Sequence, residues 1–201
     1  MREYKRFAVD DPALVGSSEP RAAWHHVAPI HVAELEAVKR KFFELTALDP
    51  GALDRSTGPG HLTGSALVFN HDASETLLLF HTKLQRWLQP GGHADGEANL
   101  ARVALKEATE ESGIDGLEIV DPAVDLDIHN VAPEGADPVW HYDVRFVVFA
   151  PAGAQPVGNH ESEAIKWVPL DELDDYDLDA GHHRMIRAGK LVADQLISEN
   201  A

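Results

Sequence analysis

The sequence predicts a mixed α/β domain: a mixed sheet with a helix on each face, carrying helical extensions at its two ends. Three observations predict it. Apolar residues alternate with polar ones through Val124, Leu126 and Ile128, and again through Tyr142, Val144, Phe146 and Val148, the period of half-buried strands. Val32, Leu35, Val38, Phe42 and Leu45 recur at helical spacing, as do Leu100, Val103 and Ala104. Turn chemistry separates these segments, and no internal repeat or low-complexity run interrupts them.

In chain order, residues 1–28 are irregular, with Ser17, Ser18 and Pro20 in the middle and His25-His26 near the end. Residues 29–48 read as one helix, and Pro29 fits its first turn. DPGALDRSTGPG, residues 49–60, reads as a linker. This divides the chain into an N-terminal extension with one helix, 1–55, and a main domain, 56–201, that includes the C-terminal helix. Residues Leu62 to Phe69 and Thr76 to Phe80 form a hairpin around the turn Asn70-His71-Asp72-Ala73-Ser74. Gln89-Pro90-Gly91-Gly92 turns the chain into a loop and a helix, which Gly113 caps. The alternating segments at 124–128 and 142–148 and EAIKWVPL at 163–170 complete the strands. A short acidic helix start follows from Asp171, then a longer helix over about 180–197.

The segment GGHADGEANLARVALKEATEESGI, residues 91–114, carries the chemistry. On a helix Glu107, Glu110 and Glu111 point into one arc of about 100°. Leu100, Val103 and Ala104 share that arc, so the acidic cluster sits on the inward side rather than opposite the apolar stripe. Like charges so placed are costly unless a cation cancels them. Carboxylate oxygens suit a hard divalent cation. The plain alternative is a solvated acidic face, common in glutamate-rich helices.

The spacing resembles the box of the Nudix family: Gly, five residues, Glu, seven residues, then Arg-Glu-aliphatic-any-Glu-Glu-any-Gly-aliphatic. Lys106-Glu107-Ala108-Thr109-Glu110-Glu111-Ser112-Gly113-Ile114 matches its second half, with Lys for Arg and Ala at the aliphatic site. Gly92 matches the opening. The first Glu is displaced: position 98 is Ala, and Glu97 stands one residue early. The likeness extends over about residues 61–170, through Glu161, Glu163 and Trp167-Val168-Pro169-Leu170.

The resemblance implies a Nudix-type α/β/α sandwich and a hydrolase that cleaves the pyrophosphate bond of a nucleoside diphosphate linked to another moiety. It implies Mg²⁺ or Mn²⁺ held by Glu107, Glu110 and Glu111, with the Gly92 carbonyl as an extra ligand. Lys106 keeps the charge of the family Arg but loses its planar fork. A general base is expected from Glu161 or Glu163 shortly before Trp167, with Glu161 favoured because it belongs to the loop and Glu163 to the strand. Glu97 is the third candidate, with an alternative role at the helix N-terminus. The rival reading is a non-catalytic Nudix-type nucleotide-binding sensor.

Substrate-binding candidates are His141, Asp143 and Arg145, which alternate on one strand, together with His93 and Trp87. The charged row lines a cleft or a solvated face. His93 meets phosphate or metal, or holds a structural hydrogen bond. Trp87 stacks on a base or packs in the core. His25-His26 with His31, and His182-His183, read as helix-end or surface histidines rather than ligands.

Seventeen Lys and Arg against 34 Asp and Glu give a formal charge of −17, which argues against a nucleic-acid backbone or an anionic membrane as partner. The partner expected is a small diphosphate-containing molecule, with residues 1–55 as a lid or an element of a homodimer. There is no Cys, hence no disulfide, thiolate nucleophile or thiolate metal site, which also argues against a Nudix-type isomerase that relies on Cys. MREYKRFAVDDP lacks the apolar stretch of a signal peptide, and a cytoplasmic location is expected.

Overall fold

The computed structural model describes residues 3–55, 60–131 and 138–199. Nine strands join one mixed sheet. They are β1 (Lys5–Ala8), β2 (Gly60–Phe69), β3 (Glu75–His81), β4 (Arg86–Leu88), β5 (Gly91–His93), β6 (Glu118–Asp121), β7 (Asp125–Val131), β8 (Val139–Phe149) and β9 (Ser162–Pro169). The long central strands β2 and β8 run parallel in continuous register from Gly60 opposite Trp140 to Phe69 opposite Phe149. The other pairings are antiparallel: β6 and β7 on β8, β3 and β5 on β2, β4 and β9 on β3, and β1 on β6.

Helices cover both faces. α1 (Trp24–Val27), α2 (Glu36–Leu48) and α3 (Leu100–Ser112) bury Leu100, Val103 and Phe42 against Leu62, Val144 and Phe146. α4 (Ala180–Glu199) buries Met185, Val192 and Leu196 against Leu67, Phe69 and Val147 on the other face. The period-two alternation of β8 produces the two layers, because Val144 and Phe146 face one side while Val147 and Phe149 face the other. The α/β/α architecture expected from the sequence is therefore present. Among the described residues no helix is long and apolar enough to cross a membrane.

Local rules account for the elements around the site. Asn99 caps α3 by accepting from the Arg102 N–H, and Gly113 ends it in the left-handed conformation at φ 67°. Asn70 closes the β2–β3 hairpin by accepting from the Ser74 N–H at 3.0 Å.

The helix expected over 29–48 is shorter and broken. Val32 is extended (φ −118°, ψ 119°), a 3₁₀ turn covers Ala33–Leu35, and α2 starts only at Glu36. The Ala28 and Ile30 carbonyls accept from Lys39 Nζ at 2.8 and 2.7 Å, so they need no helical partner. Strands β1, β4, β5 and β6, each of three or four residues, carry too few side chains to show a period.

The boundary expected at 55/56 meets the packing. Ser56 lies outside the described residues, but Val27, Ile30, Leu35 and Phe42 belong to the same core as α3 and the sheet. Burial of four such side chains contributes on the order of 6–12 kcal/mol, comparable with the whole stability of a domain. A chain starting at Ser56 is therefore expected to lack a cooperative thermal transition in circular dichroism. A sharp transition in that truncated chain would show residues 1–55 to be a separable extension.

Candidate active site

The inward side of α3 meets the short strand β5. Glu111 is 4% exposed and accepts a hydrogen bond from the Gly91 N–H at 2.9 Å. Glu107 is half-buried against Gly92, where an added Cβ would stand 2.5 Å from the Glu107 carboxyl carbon. Only glycine lets that carboxylate lie against the strand. Glu110 is exposed, one turn on from Lys106. Lys106 Nζ donates to Glu107 at 3.0 Å and to Glu110 at 2.8 Å, the bracing role open to a cation at that position.

The loop before β9 completes the cluster. The Val157 and Gly158 N–H groups donate to the Ser112 carbonyl at 2.8 and 3.2 Å, and Asn159 Nδ2 donates to the Glu110 carbonyl at 3.2 Å. Asn159 also accepts from the Glu161 N–H at 2.8 Å, while the Thr82 N–H donates to the Glu161 carbonyl. The loop is thus tied to the end of α3 and sets the Glu161 charge where Glu111 feels it. Glu163 goes elsewhere. A bulge between Phe80 and His81 breaks the strand parity the two glutamates would otherwise share, and Glu163 accepts from Gln85 Nε2 at 2.7 Å.

Burial, together with the charges of Glu107, Glu161 and Glu110, pushes Glu111 up to about 8, against the opposing hydrogen bond from Gly91. Such a cluster of carboxylates fits a hard cation, which would replace the proton on Glu111. The metal-free chain should show the cost directly. Between about pH 4.5 and 8 the folded chain holds a proton on Glu111 that the unfolded chain has lost, so stability falls as pH rises through that window. The full loss is on the order of 5 kcal/mol. In urea unfolding with chelator, Glu111→Gln should lack that share of the decline, and identical pH slopes in the two proteins would contradict it.

Other predicted residues lie apart from this cluster. Glu97 is a structural link: it accepts from the Ser17 and Asn99 N–H groups, each at 2.8 Å, and pairs with Arg102 at 3.3 Å. Its oxygens are taken up in joining the N-terminal loop to the start of α3. Asp143 and Arg145 do not line an open cleft, being 1% and 2% exposed. Arg145 donates to Asp143 at 2.8 Å, Asp127 at 3.0 Å and Asp125 at 3.3 Å. Arg184 from α4 joins Asp125 at 2.8 Å, and Thr63 and Ser65 donate to Asp143. Burial opposes the Asp143 charge, yet the Arg145 guanidinium holds the carboxyl below the usual range. Trp87 packs edge-on against Phe80 and Tyr176, both at 5.4 Å, with Lys166 over its ring. His26 bonds Asp121 at 2.9 Å and His182 bonds Asp179 at 2.7 Å, so both are structural.

His93 and His141 come together, with a residue the sequence did not single out. His61 on β2 lies beside His141 on β8, and His93 on β5 stands next to both. Burial, then neighbouring positive charge, lowers His93 to about 4 and His141 to about 3, so these imidazoles are neutral at pH 7. No ligand spacing marks 61, 93 and 141 in sequence; parallel pairing of β2 with β8 and antiparallel pairing of β2 with β5 bring them together.

The fold has solved counterparts. An Ap4A hydrolase from C. elegans, in a binary complex, superposes with TM-score 0.55 at 18% identity over 67% of this chain and 98% of that one. A NUDIX-family hydrolase from Clostridium perfringens gives 0.53 at 19% identity over 70% and 99%. The NUDIX domain of Shewanella oneidensis NrtR, complexed with ADP ribose, gives 0.51 at 20% identity over 68% and 90%. At such identities the likeness concerns the fold. No curated protein matches the chain. A family model described as NUDIX domain matches residues 61–189, well over half of the sequence and including the whole acidic helix. With box, fold and family match in agreement, the chain belongs to the Nudix family of hydrolases.

Proposed function

We propose that this protein hydrolyses the pyrophosphate bond of a nucleoside diphosphate linked to another moiety, using Mg²⁺ or Mn²⁺ bound by Glu107, Glu110 and Glu111. The observation that carries the reading is the buried Glu111 carboxylate, backed by Gly91 and crowded by Glu107, Glu110 and Glu161. Lys106 and a proton on Glu111 relieve the crowding in the metal-free chain, and a bound divalent cation would relieve it with all four carboxylates ionised. The bound cation would neutralise the phosphoryl oxygens and lower the pKa of the attacking water. Glu107 and Glu111 are positioned by β5, and Lys106 orients Glu107 and Glu110.

Glu161 is the proposed general base. It takes a proton from water as oxygen attacks phosphorus, and the bridging oxygen leaves with one phosphate. Its loop is anchored through Asn159 on the same helix that would carry the ligands, which holds the Glu161 backbone beside that helix end. Glu161→Gln is expected to lower turnover by about 10²–10⁴-fold, while Glu163→Gln, which keeps an Oε1 to accept from Gln85, leaves it unchanged. Loss confined to Glu163→Gln would transfer the role to that residue.

The test is a panel of dinucleoside polyphosphates, ADP-ribose and nucleoside triphosphates, with Mg²⁺ or Mn²⁺, followed by ³¹P NMR. Cleavage between phosphates in one class, abolished by chelator, is expected. Binding without cleavage across the panel would instead support a nucleotide sensor.

A further inference from the structure

We infer that His61, His93 and His141 form a second cation site, of imidazole type, which takes Zn²⁺ or a similar transition ion rather than Mg²⁺. One ring nitrogen from each lies within 4.8 Å of the others. The ring centroids are 5.0, 4.9 and 5.0 Å apart, a closed triangle. Three strands supply the ligands, so the backbone is fixed by sheet hydrogen bonds. His61 and His141 are direct neighbours across the β2–β8 pair, and His93 is opposite Thr63 across the β2–β5 pair.

His61 provides a second, independent observation. It is 3% exposed, and neither of its ring nitrogens has a hydrogen-bond partner. A buried imidazole with no partner forfeits its hydration and gains nothing in return. Its neighbours in the triangle offer further imidazoles, and one ion bonded to all three would give one nitrogen of each ring, His61 included, a partner. Tetrahedral Zn²⁺ places nitrogens about 3.4 Å apart at bond lengths of about 2.0–2.1 Å, which small side-chain rotations would reach.

The donor set selects the ion. Three neutral nitrogens suit Zn²⁺, Co²⁺ or Ni²⁺, whereas Mg²⁺ prefers oxygen. Three protein ligands leave a fourth position open for water or an anionic oxygen. His129 meets His141 edge to face at 5.4 Å and is itself bonded to Asp127 at 3.0 Å, which buttresses the His141 ring. Arg55 opposes a cation here, but Asp95 pairs with it. His93 directly follows Gly92, so the imidazole site adjoins the carboxylate site without sharing a side chain. The inference does not depend on what the carboxylates do.

The full-length protein, stripped of metal, would be titrated with Co²⁺ in a large excess of Mg²⁺ and followed by visible absorption. One Co²⁺ per chain, resistant to Mg²⁺, displaced by Zn²⁺ and giving the bands of a four-coordinate nitrogen-rich site, is expected. His93→Gln and His141→Gln, chosen because neither side chain is fully buried, should abolish those bands, and Glu111→Gln should keep them. Circular dichroism identifies any variant that fails to fold, and the remaining variant then decides. Complete displacement of Co²⁺ by Mg²⁺ in the wild type would overturn the inference on its own. So would bands that survive in a folded histidine variant.

Discussion

Replacing Glu110 by Gln is expected to lower turnover at saturating Mg²⁺ by at least about 10²–10³-fold, since metal charge stabilisation is worth several kcal/mol. The substitution keeps the side chain's size and removes one charge. Glu110 is exposed, and Lys106 retains its contact with Glu107 at 3.0 Å, so the fold has little to lose. Without metal the variant should be about as stable as the wild type at neutral pH, and slightly more so above about pH 8, where Glu111 ionises and repulsion from Glu110 would otherwise act. Turnover would be measured on the best substrate of the panel, with thermal unfolding in chelator beside it. Unchanged turnover with the fold intact would remove Glu110 from the ligand set.

Arg145→Met is expected to be strongly destabilising. It leaves Asp143 buried with only the Thr63 and Ser65 hydroxyls, and Asp125 with Arg184 alone. Breaking one partner out of a buried network costs about 3–5 kcal/mol, a large part of a typical domain's stability. Urea unfolding at pH 7 checks this, and a loss below about 1 kcal/mol would mean that water reaches the site and compensates. Converting Asp143 to Asn in the same chain should recover part of the loss, because the stranded charge is then gone.

These two expectations differ in how much of each was legible in the sequence. The acidic cluster was legible because Glu107, Glu110 and Glu111 lie within one helical turn, where spacing fixes direction. The cap at Gly113 and the strand β8 followed from equally local patterns. The Arg145 network was not legible. Its row on β8 carries the same alternation whether it faces solvent or a covering helix, and only the docking of α4 decides between them. Glu97 misled for the opposite reason. It stands close to the expected place in the box, but the N-terminal loop, distant in sequence, claims its oxygens through Ser17. The sequence favoured Glu161 as the loop residue of the pair; that Glu163 sits at a bulge and bonds Gln85 was not legible, because a bulge shifts parity by one residue and leaves no mark in the pattern of side chains. His61 stayed hidden because its partners are reached only across two different strand pairings.

The most direct test of the central claim, that the inward face of α3 holds the divalent cation, is the binding of Mn²⁺ measured by the EPR signal of the free ion. The wild-type chain and the Glu110→Gln and Glu111→Gln variants, all stripped of metal, would be titrated side by side. The account predicts a Mn²⁺ site in the wild type that is weakened at least about tenfold in each variant. Equal Mn²⁺ binding in all three proteins would contradict it.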